Sequence, residues 1–350
     1  MITVFGVDRA IDVPEDVFPS DPLVIDEIEK KCSDQISIHG WFDSCYKGVK
    51  LHYRKWLPPM KPKAIVIFAH GIQSHSGNGH LLPDGRRLNG ALRVDAFVKS
   101  GYAVYSHDYY GHGYSEGTRW WIPETWENNL TDYETFVSLV AQENDNRTPI
   151  ILMGESYGSC LTLHLARKFQ EQGGPSSFDS VILTSSAIDA DLPPYIVQFI
   201  LRHVVAPVFP TWIPFFMPNP VSPDRIWRDP VALAASTDPE KLKLRMDSGG
   251  TPMRLGTAAN ILDAMMRLKT SVIPGFRQPY CLIHGTHDFS CPISGAEYLW
   301  EESSTPESDR EFHKMEGMYH DLFSDSKSEE VIDIVLDWIE SRLHKSVNSE

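Results

Sequence analysis

The chain has 350 residues, 42% of them hydrophobic and 11% aromatic. That is enough apolar material for one large α/β domain with an insertion, or for two ordinary domains, and too much for a disordered polypeptide. The formal net charge of −15 argues against nucleic acid or a strongly anionic membrane as a main partner, and its acidic residues are scattered as solubility alone would require.

Other signals narrow the setting. Five cysteines, Cys32, Cys45, Cys160, Cys281 and Cys291, are an odd number without paired metal-ligand spacing. They predict reduced thiols in a cytoplasmic protein. The opening residues lack a basic region followed by an apolar core, so no secretory signal is expected. The sequons at Asn129 and Asn146 are then coincidental. No span of about twenty residues is apolar enough to cross a bilayer.

In chain order, residues 1–36 are acidic and proline-punctuated, with a short amphipathic stretch at 23–31, and read as an N-terminal arm laid over the domain. Segments 37–43 and 49–56 predict a β-hairpin whose loop ends at Gly48. Strand and helix then alternate: strand 64–69, helix 92–99, strand 102–106, helix 129–142, strand 149–153, helix 157–172 and strand 180–184. Continuous apolar runs between amphipathic helices indicate a mostly parallel sheet with helices on both faces. The rhythm breaks over 189–275, a proline-rich stretch with helical pieces at 194–205 and 258–268. It resumes with strand 280–284, a helix near 296–302, strand 310–315 and helix 328–343. The expected organisation is a core formed by 37–188 and 276–350, with 189–275 as a helical cap over the strand ends.

Gly154-Glu155-Ser156-Tyr157-Gly158 follows the apolar strand 149–153 and opens the helix 157–172. A buried strand that turns abruptly into a helix at a serine is a nucleophile elbow. The turn leaves no room for side chains two residues either side of the serine, and it holds the serine in a strained backbone region. The helix N-terminus points its amides at the place where negative charge develops. The alternative is an ordinary strand-to-helix turn with a solvent-facing serine.

A serine hydroxyl needs a histidine to take its proton and an acid to orient that histidine. In this sheet type the order is serine, acid, histidine, each past a strand end. Asp288, after strand 280–284, and His320, after strand 310–315, meet both conditions. Asp189 and Asp191, after the preceding strand, are an alternative acid. Asp321 is a poorer one, because adjacent side chains diverge. The oxyanion requires two amides. Tyr157 supplies one directly after the serine, and the loop His70-Gly71-Ile72 supplies the other, with Ile72 as donor and His70 as a loop-bracing residue. The glycine-studded loop 108–117 lacks a following lysine or helix for phosphate, so its glycines are read as tight turns beside the site.

These motifs together resemble the monoacylglycerol lipase and lysophospholipase family of α/β-hydrolases, including its plant and algal esterase members. The matching residues are His70-Gly71 with His75, Asp108 with Gly111-His112-Gly113, Ser115 and Gly117, the 154–158 elbow, Gly285 with Asp288, and Glu316-Gly317 with Tyr319-His320. Arg228-Asp229-Pro230 and Arg254-Leu255-Gly256-Thr257 are also similar. The likeness covers about residues 37 to 343. It implies a triad of Ser156, Asp288 and His320, an oxyanion hole at Ile72 and Tyr157, and no cofactor or metal. Two departures stand out. Tyr157 and Ser159 replace the family's usual methionine and glycine, and Ser76-Gly77-Asn78-Gly79 replaces Ser-Gly-Arg-Tyr, which leaves the substrate head group open.

The cap segment runs from Tyr195 through Phe199 to Trp212-Ile213-Pro214-Phe215-Phe216-Met217, and Pro207, Pro210 and Pro214 argue against a continuous membrane helix. One reading buries these residues against the core. The other makes an acyl tunnel, with Phe199, Phe215 and Phe216 as substrate-binding residues and a rim that touches membranes or lipid droplets. The expected substrate is an acylglycerol or a lysophospholipid, cleaved through an acyl-enzyme intermediate. A smaller ester, or a ligand receptor with weak turnover, is the alternative.

Overall fold

A computed structural model describes residues 35, 37–77, 90–215, 219–237 and 250–347. The arm predicted for 1–36 lies almost wholly outside the described residues, as do Cys32, Asn78-Gly79 and the proposed substrate contact Phe216. Eight strands form one sheet: β1 (Ile38–Asp43), β2 (Lys50–Trp56), β3 (Ile65–Ala69), β4 (Ala103–His107), β5 (Ile150–Glu155), β6 (Phe178–Thr184), β7 (Tyr280–Gly285) and β8 (Arg310–Met315). Their order is β1-β2-β4-β3-β5-β6-β7-β8. β1 and β2 pair antiparallel, as do β2 and β4, and every other pairing is parallel. This is the α/β-hydrolase fold expected from the alternating apolar runs.

The strands are apolar on both sides because both sides are covered. Ile65, Ile67, Leu152 and Leu183 point into one layer with Phe136, Val140, Leu161 and Leu165. These come from α2 (Trp126–Glu143) and α3 (Tyr157–Gln172). Val66, Phe68, Ile151 and Ile182 point into the other with Val94, Phe97, Val335 and Trp338. Those come from α1 (Gly90–Lys99) and α9 (Ser328–Val347). Period-two alternation with two apolar faces is the mark of a central buried strand. Helix α2 starts three residues before the predicted 129 because Thr125 caps it, its hydroxyl accepting the Glu127 N–H at 3.3 Å.

Parallel pairing has one consequence for function. It brings the loops after β3, β5, β7 and β8 to the same end of the sheet, and with them Ile72, Ser156, Asp288 and His320.

Between β6 and β7 the chain forms α4 (Tyr195–Ile200), α5 (Pro223–Ile226), α6 (Pro230–Thr237) and α7 (Leu255–Arg267). Helix α4 continues as a wider turn in which the Ala206 N–H reaches the Leu201 carbonyl. Helix α7 is tied to the body of the molecule by polar contacts. Ile122 N–H donates to Thr257 Oγ1 at 3.1 Å, Asn260 Nδ2 donates to Ile122 O at 3.0 Å, and His164 Nε2 donates to Ala264 O at 3.0 Å. α4 is different. Tyr195, Ile196, Phe199, Ile200 and the following Val204 are exposed. Helix α8 (Ile293–Glu302) lies between β7 and β8. Among the described residues no helix is long and apolar enough to cross a membrane, and the four described cysteines are free thiols.

Candidate active site

Ser156 sits between β5 and α3 with φ 56° and ψ −122°, a left-handed backbone that costs a non-glycine residue on the order of 1–3 kcal/mol. The neighbours enforce it. A Cβ on Gly158 would collide with the Ala69 carbonyl, and one on Gly154 with the Gly158 carbonyl. The elbow is therefore packed directly against the end of β3. Gly158→Ala is expected to destabilise the fold by about 1–3 kcal/mol in chemical denaturation, through backbone overpacking.

The loop after β3 runs alongside the serine. A Cβ on Gly71 would lie 3.2 Å from Ser156 Cβ and 3.7 Å from its Oγ. Ile72 and Tyr157 both line the cavity that Ser156 faces. His70 braces the loop: its Nδ1–H donates to Gly71 O at 2.7 Å, while Tyr109 OH donates to His70 O at 2.9 Å. Burial holds the His70 pKa down at about 4, so the ring is neutral. Asp108 pins the far end of this loop by accepting the Ser76 N–H at 2.6 Å, and it also accepts from His52 Nδ1 at 2.8 Å and Tyr114 N–H at 3.0 Å. Gly113 has φ +48° with its backbone against the Asp108 carboxylate. The 108–117 loop is thus a brace for the candidate oxyanion loop.

His320 Nδ1–H donates to Asp288 Oδ2 at 2.8 Å, both side chains buried. This fixes the tautomer that leaves Nε2 as an acceptor. Asp288 Oδ1 accepts the Ser290 and Cys291 amides, each at 2.8 Å, and its Oδ2 lies 3.3 Å from His284 Nε2. Burial alone would raise the Asp288 pKa, but attraction to His320 and bonds from His284 and His320 overcome it. The carboxyl is held well below the usual range. His320 shows the converse balance. Burial would lower it, but Asp288, with Glu155 and Asp321 adding, raises it above the ordinary 6.5.

The competing acids are engaged elsewhere. Asp189 pairs with Lys269 Nζ at 2.9 Å and accepts from Ser294 Oγ at 3.2 Å. Asp321 accepts from Trp227 Nε1 at 2.8 Å and Ser324 Oγ at 2.6 Å. Asp191 is exposed at the cavity wall.

Two groups at the site were not anticipated from the sequence. Glu155, beside the serine, lies 3.5 Å from the buried Arg93 guanidinium, which stacks 3.5 Å above the Phe68 ring. Burial pushes the Glu155 carboxyl upward, with Asp321 adding and Arg93 and His320 opposing. Cys291 is the other: it lines the same cavity as Ser156, and burial drives its pKa well up, so it remains a neutral thiol. Neither role is legible from spacing: Glu155 adjoins the serine in sequence but meets Arg93 only through the fold, and Cys291 reaches the site only through the fold.

Above Ser156 lies a cavity of about 170 Å³. Its walls are mostly apolar, with Leu201, Val221, Leu255, Ala259, Leu262 and Met265 among them. Of the aromatic residues expected to contact substrate, the two that are described, Phe199 and Phe215, are not in this wall. Phe199 is 45% exposed and Phe215 89% exposed. The lining is shared between the chain after β6, through Leu192, Pro193 and Leu201, and helix α7, a segment whose apolar spacing reads equally well as core. Among the described residues one group, Cys281, Glu311 and His313, could offer three atoms to a metal ion. It lies on β7 and β8, back from the strand ends that carry Ser156 and His320.

A model of the serine aminopeptidase S33 family, Hydrolase_4, matches residues 60–327. The chain belongs to this family. It is a serine hydrolase of the α/β-hydrolase fold. The chain is 26% identical over 300 residues to a monoacylglycerol lipase of Mycolicibacterium smegmatis, covering 85% of this chain and 95% of that one. It is also 26% identical to an uncharacterised abhydrolase domain-containing protein of Dictyostelium discoideum, of which it spans only 28%. The crystal structure of Paleococcus ferrophilus monoacylglycerol lipase superimposes with a TM-score of 0.64 at 22% identity, over 83% of this chain and 99% of that one. At that identity the likeness supports the fold alone.

Proposed function

We infer that this hydrolase cleaves the carboxylic ester of a single-chain lipid, a monoacylglycerol or a lysophospholipid. The observation that carries the reading is the apolar cavity opening on Ser156. Each methylene moved from water into such a wall contributes about 0.8 kcal/mol, so a long acyl chain is favoured over a small polar ester. The similarity to a monoacylglycerol lipase over nearly its whole length points the same way.

In this reading Ser156 Oγ attacks the ester carbonyl while His320 Nε2 takes its proton. Asp288 holds the imidazole and stabilises the imidazolium that forms. The amides of Ile72 and Tyr157 receive the oxyanion. The proton passes from His320 to the departing alcohol, leaving an acyl-serine, and water then enters by the same base to release the fatty acid. None of these steps calls for a cofactor. Residues 189–275 act as a cap over a core of 37–188 and 276–350. The exposed Tyr195, Phe199 and Phe215 form a rim that meets lipid surfaces, from which substrate enters.

Ala259, at the cavity wall, offers a test. Ala259→Trp fills the space that an acyl chain would occupy. Losing contact with about four methylenes should lower kcat/KM for a long-chain monoacylglycerol on the order of 100-fold. A butyrate ester should be hydrolysed as before. Equal losses on both would refute an acyl tunnel at this wall.

The rim makes a separate expectation. Phe199→Ser with Phe215→Ser should reduce co-sedimentation with neutral phosphatidylcholine vesicles and leave turnover of a soluble short ester intact. Unchanged sedimentation would remove the rim from the mechanism of entry.

A further inference from the structure

Three consecutive residues of the insertion grip the loop that carries His320. The Ile226 carbonyl accepts the Asp321 N–H at 3.0 Å, and Trp227 Nε1 donates to Asp321 Oδ2 at 2.8 Å. Arg228 does more. Its Nη1 donates to Gly317 O at 3.0 Å, while Nη2 and Nε donate to the two oxygens of Asp325 at 2.7 and 3.1 Å. The Asp325 side chain is only 3% exposed and that of Arg228 32%. A forked, two-point contact of this kind is stronger and more directional than an exposed ion pair.

The anchor points straddle the imidazole: Gly317 lies before His320 in the chain, Asp321 and Asp325 after it. Asp321 and Asp325 also organise the loop from within. Asp321 Oδ1 accepts the Phe323 and Ser324 amides, each at 3.1 Å, and Asp325 Oδ1 accepts the Lys327 amide at 3.0 Å. On the other side, the segment that holds Trp227 and Arg228 also reaches the cavity. Val221 and Arg225 line it, and Arg225 Nη1 donates to Phe289 O, next to Asp288, at 2.8 Å. A continuous run of chain thus touches the cavity wall at one end and the histidine loop at the other.

We propose that Trp227 and Arg228 are positioning residues that hold His320 in register with Ser156 and Asp288, and that they tie this register to the cavity wall at Val221 and Arg225. The proposal rests on the triad reading above. Binding at the wall then presses on the same segment that sets the histidine, so catalytic alignment depends on how the insertion is seated. Arg228-Asp229-Pro230 stood out in the sequence without a role, and this contact supplies one.

The test is steady-state kinetics on a soluble short ester with the full chain, each variant also followed by thermal unfolding. Arg228→Met keeps the aliphatic stem and removes the fork. It should lower kcat about 10- to 100-fold, the size of effect expected from a small misplacement of a reacting group, with KM within about twofold. The acid limb of kcat/KM should move to lower pH, because a loosened imidazole loses part of its attraction to Asp288. The other charged or titratable groups near it are Glu155 on β5, Asp321 on its own loop, Arg93 on α1 against Glu155, and His284 on β7 against Asp288. None of these is altered by the substitution, and Asp325, which loses its partner in Arg228→Met, is neutral in the double variant with Asp325→Asn, where the acid limb should move the same way.

Arg228→Lys keeps the charge without the fork and should fall between the wild type and Arg228→Met. Trp227→Phe keeps an aromatic ring, loses the Nε1 donor, and gives the same readouts should Arg228→Met fail to fold. Arg228→Met combined with Asp325→Asn should cost no more than the worse single change. A fall in melting temperature with kcat and the acid limb unchanged in the folded variants would overturn the proposal and leave a purely structural clamp. His320→Ala separates the two levels. Activity surviving that change would remove the triad and the proposal with it, whereas an inactive His320→Ala beside a fully active Arg228→Met would remove the clamp alone.

Discussion

Replacing Ser156 by alanine will reduce ester hydrolysis by about 10⁵- to 10⁶-fold and abolish labelling by a fluorophosphonate probe, while the melting temperature stays near that of the wild type. The expectation follows from the elbow. The serine is held at φ 56° by the contacts of Gly154 and Gly158 with neighbouring backbone, so the change removes one oxygen and relaxes nothing else. The buried Cys291 thiol beside it offers no substitute, because burial keeps it protonated. Intact-protein mass spectrometry after labelling reads the stoichiometry, and peptide mapping reads the position. Turnover near the wild-type rate in folded Ser156→Ala would dismiss the serine as nucleophile.

Removing either partner of the pair Asp288 and His320 should cost about 10⁴-fold or more in turnover, and removing both should cost little beyond the worse single loss, because such groups act as a unit. Asp288→Asn is the sharper variant. It keeps the size of the side chain but replaces an acceptor oxygen with a donor, so the His320 tautomer that leaves Nε2 free is no longer enforced. The pH profile carries the same information. His320 accepts the serine proton only when neutral, so activity is lost as pH falls through its pKa. That pKa is raised in the folded protein by Asp288, Glu155 and Asp321 against the opposing effect of burial. The acid limb of kcat/KM should therefore lie above 6.5, the ordinary imidazole value, and drop when Asp288 is neutralised. Retained activity in Asp288→Ala together with its loss in Asp189→Ala would move the acid to the loop after β6.

Part of this was determined by the sequence because the relevant physics is local. The elbow could be read from five residues: the collisions that forbid a side chain at Gly154 or Gly158 involve backbone within a few positions or at the next strand end. The strands were legible because a continuous apolar run bounded by turns has few other uses, and helix α3 was found at its observed bounds, Tyr157–Gln172. The order serine, acid, histidine narrowed fourteen histidines to His320 because the fold admits few chain orders. What only the tertiary structure decided is which side chains meet. That Asp288, and neither Asp189 nor Asp321, lies against His320 depends on where three loops converge at one end of the sheet. The cavity wall shows the same limit. The aromatic run at 195–217 was the conspicuous apolar feature, yet Phe199 and Phe215 face outward while Leu255, Ala259, Leu262 and Met265 of the inconspicuous helix α7 line the space over Ser156. Composition states that a segment is apolar on a face, but the direction of that face is set by anchors such as Thr257 and Asn260, contacts that join residues more than a hundred positions apart. Arg228 is a further case. Its spacing to Asp325 carries no periodic signal, and only the folded chain brings a guanidinium from the insertion onto the loop of His320.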